Sequence, residues 1–124
     1  MYQRILVGTD GSTTAARAVE RAVQVAATTG ASLTIMTAGR ADRAAPVVEA
    51  AAATHAGAGI AIDTKVVEKD PVHALIETAR EGSYDLLVMG NKGMTGVSRF
   101  FRLGSVPNKV SHHLPCNLLI VKTT

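Results

Sequence analysis

The chain has no tryptophan, one cysteine and only four aromatic side chains, Tyr2, Tyr84, Phe100 and Phe101. So few rings leave no row of stacking platforms for single-stranded nucleic acid. With Cys116 alone, a disulfide within the chain is excluded, which suits a reducing compartment. No apolar run approaches the length that crosses a bilayer. The start, Met1-Tyr2-Gln3-Arg4-Ile5, enters a strand pattern directly and has no signal-peptide organisation. A soluble, cytoplasmic protein with neither membrane nor nucleic-acid partner is therefore expected. Strong charge of one sign is also missing: 13 Lys and Arg stand against 10 Asp and Glu, a net +3. That excess is too thin for nucleic acid but suits a small anionic ligand.

What the chain does contain is small aliphatic residues. Hydrophobic residues make up 47% and charged residues 19% of 124 positions, enough for a core and the length of a single domain, 1–124. A core of Val, Ile, Leu and Ala suits parallel strands covered by helices. Residues 5–8, Ile-Leu-Val-Gly, form a first strand, ended by Thr9-Asp10-Gly11-Ser12 with Ser12 as helix N-cap. Ala15, Ala18, Val19, Ala22, Val23 and Ala26 then recur at helical spacing up to Gly30. A second strand is expected over 31–37, a polar connection over 38–44, and an alanine-rich helix over 46–56. A third strand follows over 60–67. Asp70-Pro71 opens the next helix, with Asp as cap and Pro in the first turn. The stretch 84–89, with Leu86, Leu87 and Val88 contiguous, reads as a fourth strand buried on both faces. A last helix over 105–113 stops before Pro115, and Asn117 to Val121 is the fifth strand. Alternating strands and helices imply a parallel sheet with helices on both faces.

The most informative stretch lies between the fourth strand and the last helix. Gly90, Gly93, Gly96 and Gly104 are interleaved there with Lys92, Arg99 and Arg102, with no acidic residue among them. Glycine lets backbone approach a ligand closely, and bare N–H groups leading into a helix N-terminus suit an anion. In a doubly wound sheet of order 3-2-1-4-5 the ligand crevice lies between strands one and four, at their carboxyl ends. The segments after those two strands are Gly8 to Ser12 and the glycine-rich stretch, so both converge on one place. Neither follows the G-x-G-x-x-G dinucleotide pattern or the Walker order.

On these residues the chain resembles the universal stress proteins, in particular their ATP-binding branch. The resemblance spans nearly the whole chain. It is carried by Ile5 to Ser12, by Asp85-Leu86-Leu87-Val88-Met89-Gly90, by Gly104-Ser105-Val106 and by Leu118-Leu119-Ile120-Val121. The family's signature places two residues between its first glycines and nine before Gly-Ser or Gly-Thr. Here Gly90 and Gly93 keep the first spacing, and ten residues, Met94 to Leu103, precede Gly104-Ser105. The resemblance implies an adenine nucleotide α-hydrolase-like fold that binds ATP or AMP with Mg2+. It implies that Gly90 and Gly93, next to Met89, let the backbone approach ribose and phosphates. Gly104, Ser105 and Val106 would hold the terminal phosphates. Asp10, beside Thr9, would face ribose or a phosphate-bound Mg2+, and Ala38 would meet adenine through its backbone. It further implies a homodimer paired through Asn117 to Val121.

Other clusters are weaker. His112, His113 and Cys116 are interrupted by Pro115 and lack a fourth ligand, so no metal site made by protein alone is expected. Cys116 has no partnering acid and reads as a small buried hydrophobe. No triad or paired carboxylates stand beside the glycines, so a regulatory or sensing module is expected, not an enzyme. Two alternatives stay open. One is a stress protein acting through protein contacts without nucleotide, which draws on the extra residue and on Lys69, where the family usually has glycine. The other is an ATP-using enzyme of the same fold.

Overall fold

The computed structural model describes residues 1–91 and 114–123. The expected helix over 105–113, and with it Gly93, Gly104, Ser105 and Val106, lies outside the described residues. Five strands are seen: β1 (Arg4–Gly8), β2 (Ser32–Ala38), β3 (Ile62–Val67), β4 (Leu86–Gly90) and β5 (Asn117–Val121). Among the described residues three helices accompany them: α1 (Thr13–Thr29), α2 (Ala41–Thr54) and α3 (Pro71–Glu81). The strands form one sheet of order β3-β2-β1-β4-β5, with every pairing parallel, as expected.

Period-two alternation within the apolar strands sorts side chains to two cores. Ile5 and Val7 of β1 join Leu33, Ile35 and Val88 beneath α1 and α2. Leu6 points the other way and joins Met36, Leu87 and Met89 beneath α3. The face of α1 is buried at the six positions that periodicity picks out, five of them alanine or valine with at most 2% exposure. Alanine there lets the helix axis lie close to the sheet. Ser12 caps α1 by accepting from the Ala15 N–H at 3.1 Å, and Gly30 ends it at φ 74°. Asp70 caps α3 through the His73 N–H, with Pro71 in the first turn.

One element differs from expectation. The helix expected from Pro46 begins five residues earlier, at Ala41, and Pro46 lies inside it. Ala41, Ala44 and Ala45 are strong helix formers, and Ala44 and Val48, four apart, bury on one face. Glu68, far along the chain, accepts from the Ala41 N–H at 3.0 Å and takes the place of a local cap. The expected seven-residue connection is thus reduced to Gly39 and Arg40.

The amino-terminal end of the sheet is held by side chains. Asp85 accepts from the N–H of Gln3 at 2.8 Å and of Arg4 at 3.1 Å. Arg4 donates to the Gly82 carbonyl at 2.9 Å and lies over the Tyr84 ring at 4.6 Å. The buried Tyr84 hydroxyl donates to Thr34 on β2 at 2.8 Å.

Candidate functional site

At the carboxyl end the chain reverses direction around β1. From β1 it goes to β2 and β3 on one side, then crosses to β4 and β5 on the other, so the switch point lies between β1 and β4. The β1–β4 register pairs Val7 with Val88. Continued two residues, it sets Thr9 across from Gly90. On the other side the Thr9 N–H donates to the Met36 carbonyl at 2.9 Å, and the Thr37 hydroxyl donates to the Thr9 carbonyl at 2.8 Å. Thr9 and Asp10, Ala38, and Met89 with Gly90 therefore come together at one end of three adjacent strands, about 4.8 Å apart from strand to strand. These are the described members of the expected site. Gly93, Gly104, Ser105 and Val106 are not among them.

The β1–α1 turn is built from its own polar groups. Thr9, 2% exposed, accepts from the Gly11 N–H through its hydroxyl at 3.1 Å. Asp10 accepts from the Ser12 N–H through Oδ1 at 2.9 Å, an Asx turn. Its second carboxylate oxygen has no hydrogen-bond partner among the described residues and faces solvent. Gly11 adopts φ +83°, a region that costs other residues, and a Cβ there would stand 3.2 Å from both methyls of Val47 on α2. With only two residues between β2 and α2, the helix seats its Val47 directly against the turn. Beside the crevice, α1 and α2 leave a groove of about 390 Å³, which shares Thr9, Gly11 and Ser12 with it and runs out to His55.

Sequence reasoning missed three residues here. Thr37 closes the carbonyl of Thr9, and Thr123 and Asn91 join beyond β4 and β5. The only available signal was register: Thr9 and Thr37 each stand one residue past a paired pair, Gly8 with Met36. Lys69, at the rim, pairs with Glu77 of α3, and each lifts the other's charged form. Glu77 is held below the usual carboxylate range, first by the hydrogen bond from Lys69 and then by its charge. Burial pushes the Cys116 thiol up, with Asp85 adding to it, so the sulfur stays a protonated hydrophobe. Among the described residues no group of three His, Cys, Asp or Glu could hold a metal ion, and no helix is long and apolar enough to cross a membrane.

A sequence model described as "Universal stress protein family" matches residues 1–54 and 37–122. The chain belongs to the universal stress protein family. The universal stress protein Rv1636 of Mycobacterium tuberculosis is 33% identical over 147 aligned positions, covering 99% of this chain and 98% of that protein. The aligned span exceeds the chain, so that relative carries residues absent here. The two family matches overlap at 37–54, across the short step from β2 to α2. Among solved structures, a universal stress protein in complex with cAMP is 41% identical, with a TM-score of 0.81 over 99% of this chain and 98% of that one. The universal stress protein of Archaeoglobus fulgidus in complex with dAMP reaches a TM-score of 0.73 at 20% identity, covering 98% of each chain, and shows the shared fold alone.

Proposed function

We propose that this universal stress protein binds an adenine nucleotide, ATP or AMP, in the crevice between β1 and β4. The observation that carries the reading is the meeting of the β1–α1 turn and the end of β4 at the switch point. A relative of 41% identity that holds cAMP supports an adenine ligand. The Ala38 backbone, one residue past Thr37, borders the adenine side. Gly90 opens the segment whose later glycines, in sequence, suit phosphate. Asp10 fits a supporting role toward Mg2+: its spare oxygen is a hard donor, and Mg2+ is commonly held by one carboxylate together with substrate phosphates.

We further propose a regulatory or sensing role and not catalysis, since the sequence sets no triad or paired carboxylates beside the glycines. The protein works as a homodimer in the cytoplasm. Among the described residues β5 pairs only with β4, and Ile120 is 43% exposed at this outer strand. An apolar edge of this kind invites pairing with its two-fold mate.

Calorimetric titration of the purified protein with ATP·Mg2+ and with AMP tests the reading. Saturable heat at micromolar to millimolar ligand is expected. No heat at millimolar ligand favours instead a module that acts through protein contacts.

A further inference from the structure

Thr123 stands two residues beyond the last residue of β5. Here it is 1% exposed, and all three of its polar groups are engaged. Its N–H and its hydroxyl both donate to Asn91 Oδ1, each at 2.9 Å. Its carbonyl accepts from Arg17 Nη1 of α1, also at 2.9 Å. The Asn91 N–H donates to the Val121 carbonyl at 3.0 Å, one residue beyond the last β4–β5 pair, Gly90 with Val121. A strand needs none of these side-chain bonds to end, since its last groups can turn to water.

The bonds join the ends of β4 and β5 to α1 at the carboxyl end of the sheet. Asn91 is the residue through which the chain leaves β4 toward the glycine-rich stretch. Thr123 follows β5, and Arg17 lies in the second turn of α1, which starts from the Asp10 turn. An anchor at Asn91, the next residue in the chain, holds the backbone of Gly90 in place at the end of β4. We infer that Asn91, Thr123 and Arg17 form a latch that positions the exit from β4 and thereby sets nucleotide affinity. This rests on the nucleotide reading above. The three are positioning residues that act through the backbone of Gly90.

The test compares ATP·Mg2+ affinity in the full chain and in Thr123→Val, Thr123→Ser and Asn91→Ala, by calorimetry well below each melting midpoint. Valine keeps the shape of threonine and removes the hydroxyl donor; serine keeps the donor. Loss of one such bond is worth about three- to tenfold in a binding constant. Thr123→Val is expected to weaken binding by that factor, Asn91→Ala by at least as much, and Thr123→Ser to bind within about twofold of the parent. Rescue by serine separates positioning from a general loss of packing. Parent-like binding by folded Thr123→Val and Asn91→Ala overturns the latch and leaves the nucleotide reading intact. Equal weakening by serine and valine also overturns it. A parent that shows no binding overturns both.

Discussion

At the amino-terminal end of the sheet, long side chains tie strands to one another: Asp85 to the backbone of β1, Arg4 to Gly82, Tyr84 to Thr34. At the carboxyl end the ties around the β1–α1 turn and the end of β4 are mostly short, with the longer Glu68 and Arg17 reaching the Ala41 N–H and the Thr123 carbonyl beside them. Thr9, Asp10 and Ser12 satisfy the turn's own N–H groups, Thr37 reaches one strand across, and Thr123 folds back on Asn91. Long side chains crossing an end fill it, while short ones that bond locally leave it open. The first end is therefore a closed brace and the second a lined opening. Stability and ligand affinity should accordingly separate between the two ends.

The largest effect is expected at the brace. Tyr84→Ala removes a buried ring and the hydroxyl bond to Thr34 and should cost about 3–5 kcal/mol in urea unfolding. Nucleotide affinity of the folded protein should stay unchanged, and an affinity loss with unaltered stability would invert the comparison. Next comes a matched pair of carboxylates. Asp85→Asn leaves one of two backbone donors unpaired and should cost about 1–2 kcal/mol without touching affinity. Asp10→Asn should leave stability within about 0.5 kcal/mol while weakening ATP·Mg2+ binding. Both ends respond alike if the division is wrong. Gly11→Ala forces a side chain into positive φ and against Val47, costing about 1–2 kcal/mol. Adding Val47→Ala should return the steric part and leave the conformational part, which a double-mutant cycle resolves.

The smallest effect belongs to the rim pair. Because Glu77 has a lowered folded value, its contribution is present above the unfolded carboxylate range and is lost as pH falls through the folded value. Lys69 is raised by the same carboxylate, so its share is present at neutral pH, where Glu77 is ionised, and is lost as pH rises through its folded value. Glu77→Gln should lower the melting temperature slightly at neutral pH, with the difference gone by about pH 2 and reduced in about 1 M salt. A difference that persists in acid would mean the residue acts through packing.

Much of the scaffold could be read from residue order. β5 spans the same residues in sequence and structure, and the caps Ser12, Gly30 and Asp70 act where their chemistry places them. These are local signals: a run of apolar residues, or an oxygen three positions from an N–H. The start of α2 was not legible, because Pro46 pulls the eye to a helix start while the group that caps Ala41 is Glu68, 27 residues away. The roles of Thr37 and Thr123 were hidden for the same reason, their partners lying 28 and 32 positions off. Asp10 was legible as a turn former, and the turn uses one of its two oxygens, leaving the other for the proposed ligand. The convergence of Thr9 and Gly90 followed from topology, whereas Ala38 was placed there by the family resemblance.

The central claim is that the lined opening, and not the braced end, takes an adenine nucleotide. Backbone amide NMR during titration with ATP·Mg2+ tests it most directly. The account predicts saturable shifts at Thr9, Asp10, Gly11, Gly39 and Gly90, with Arg4, Gly82 and Asp85 unmoved. Shifts confined to the braced end, or none at saturating ligand, would contradict it.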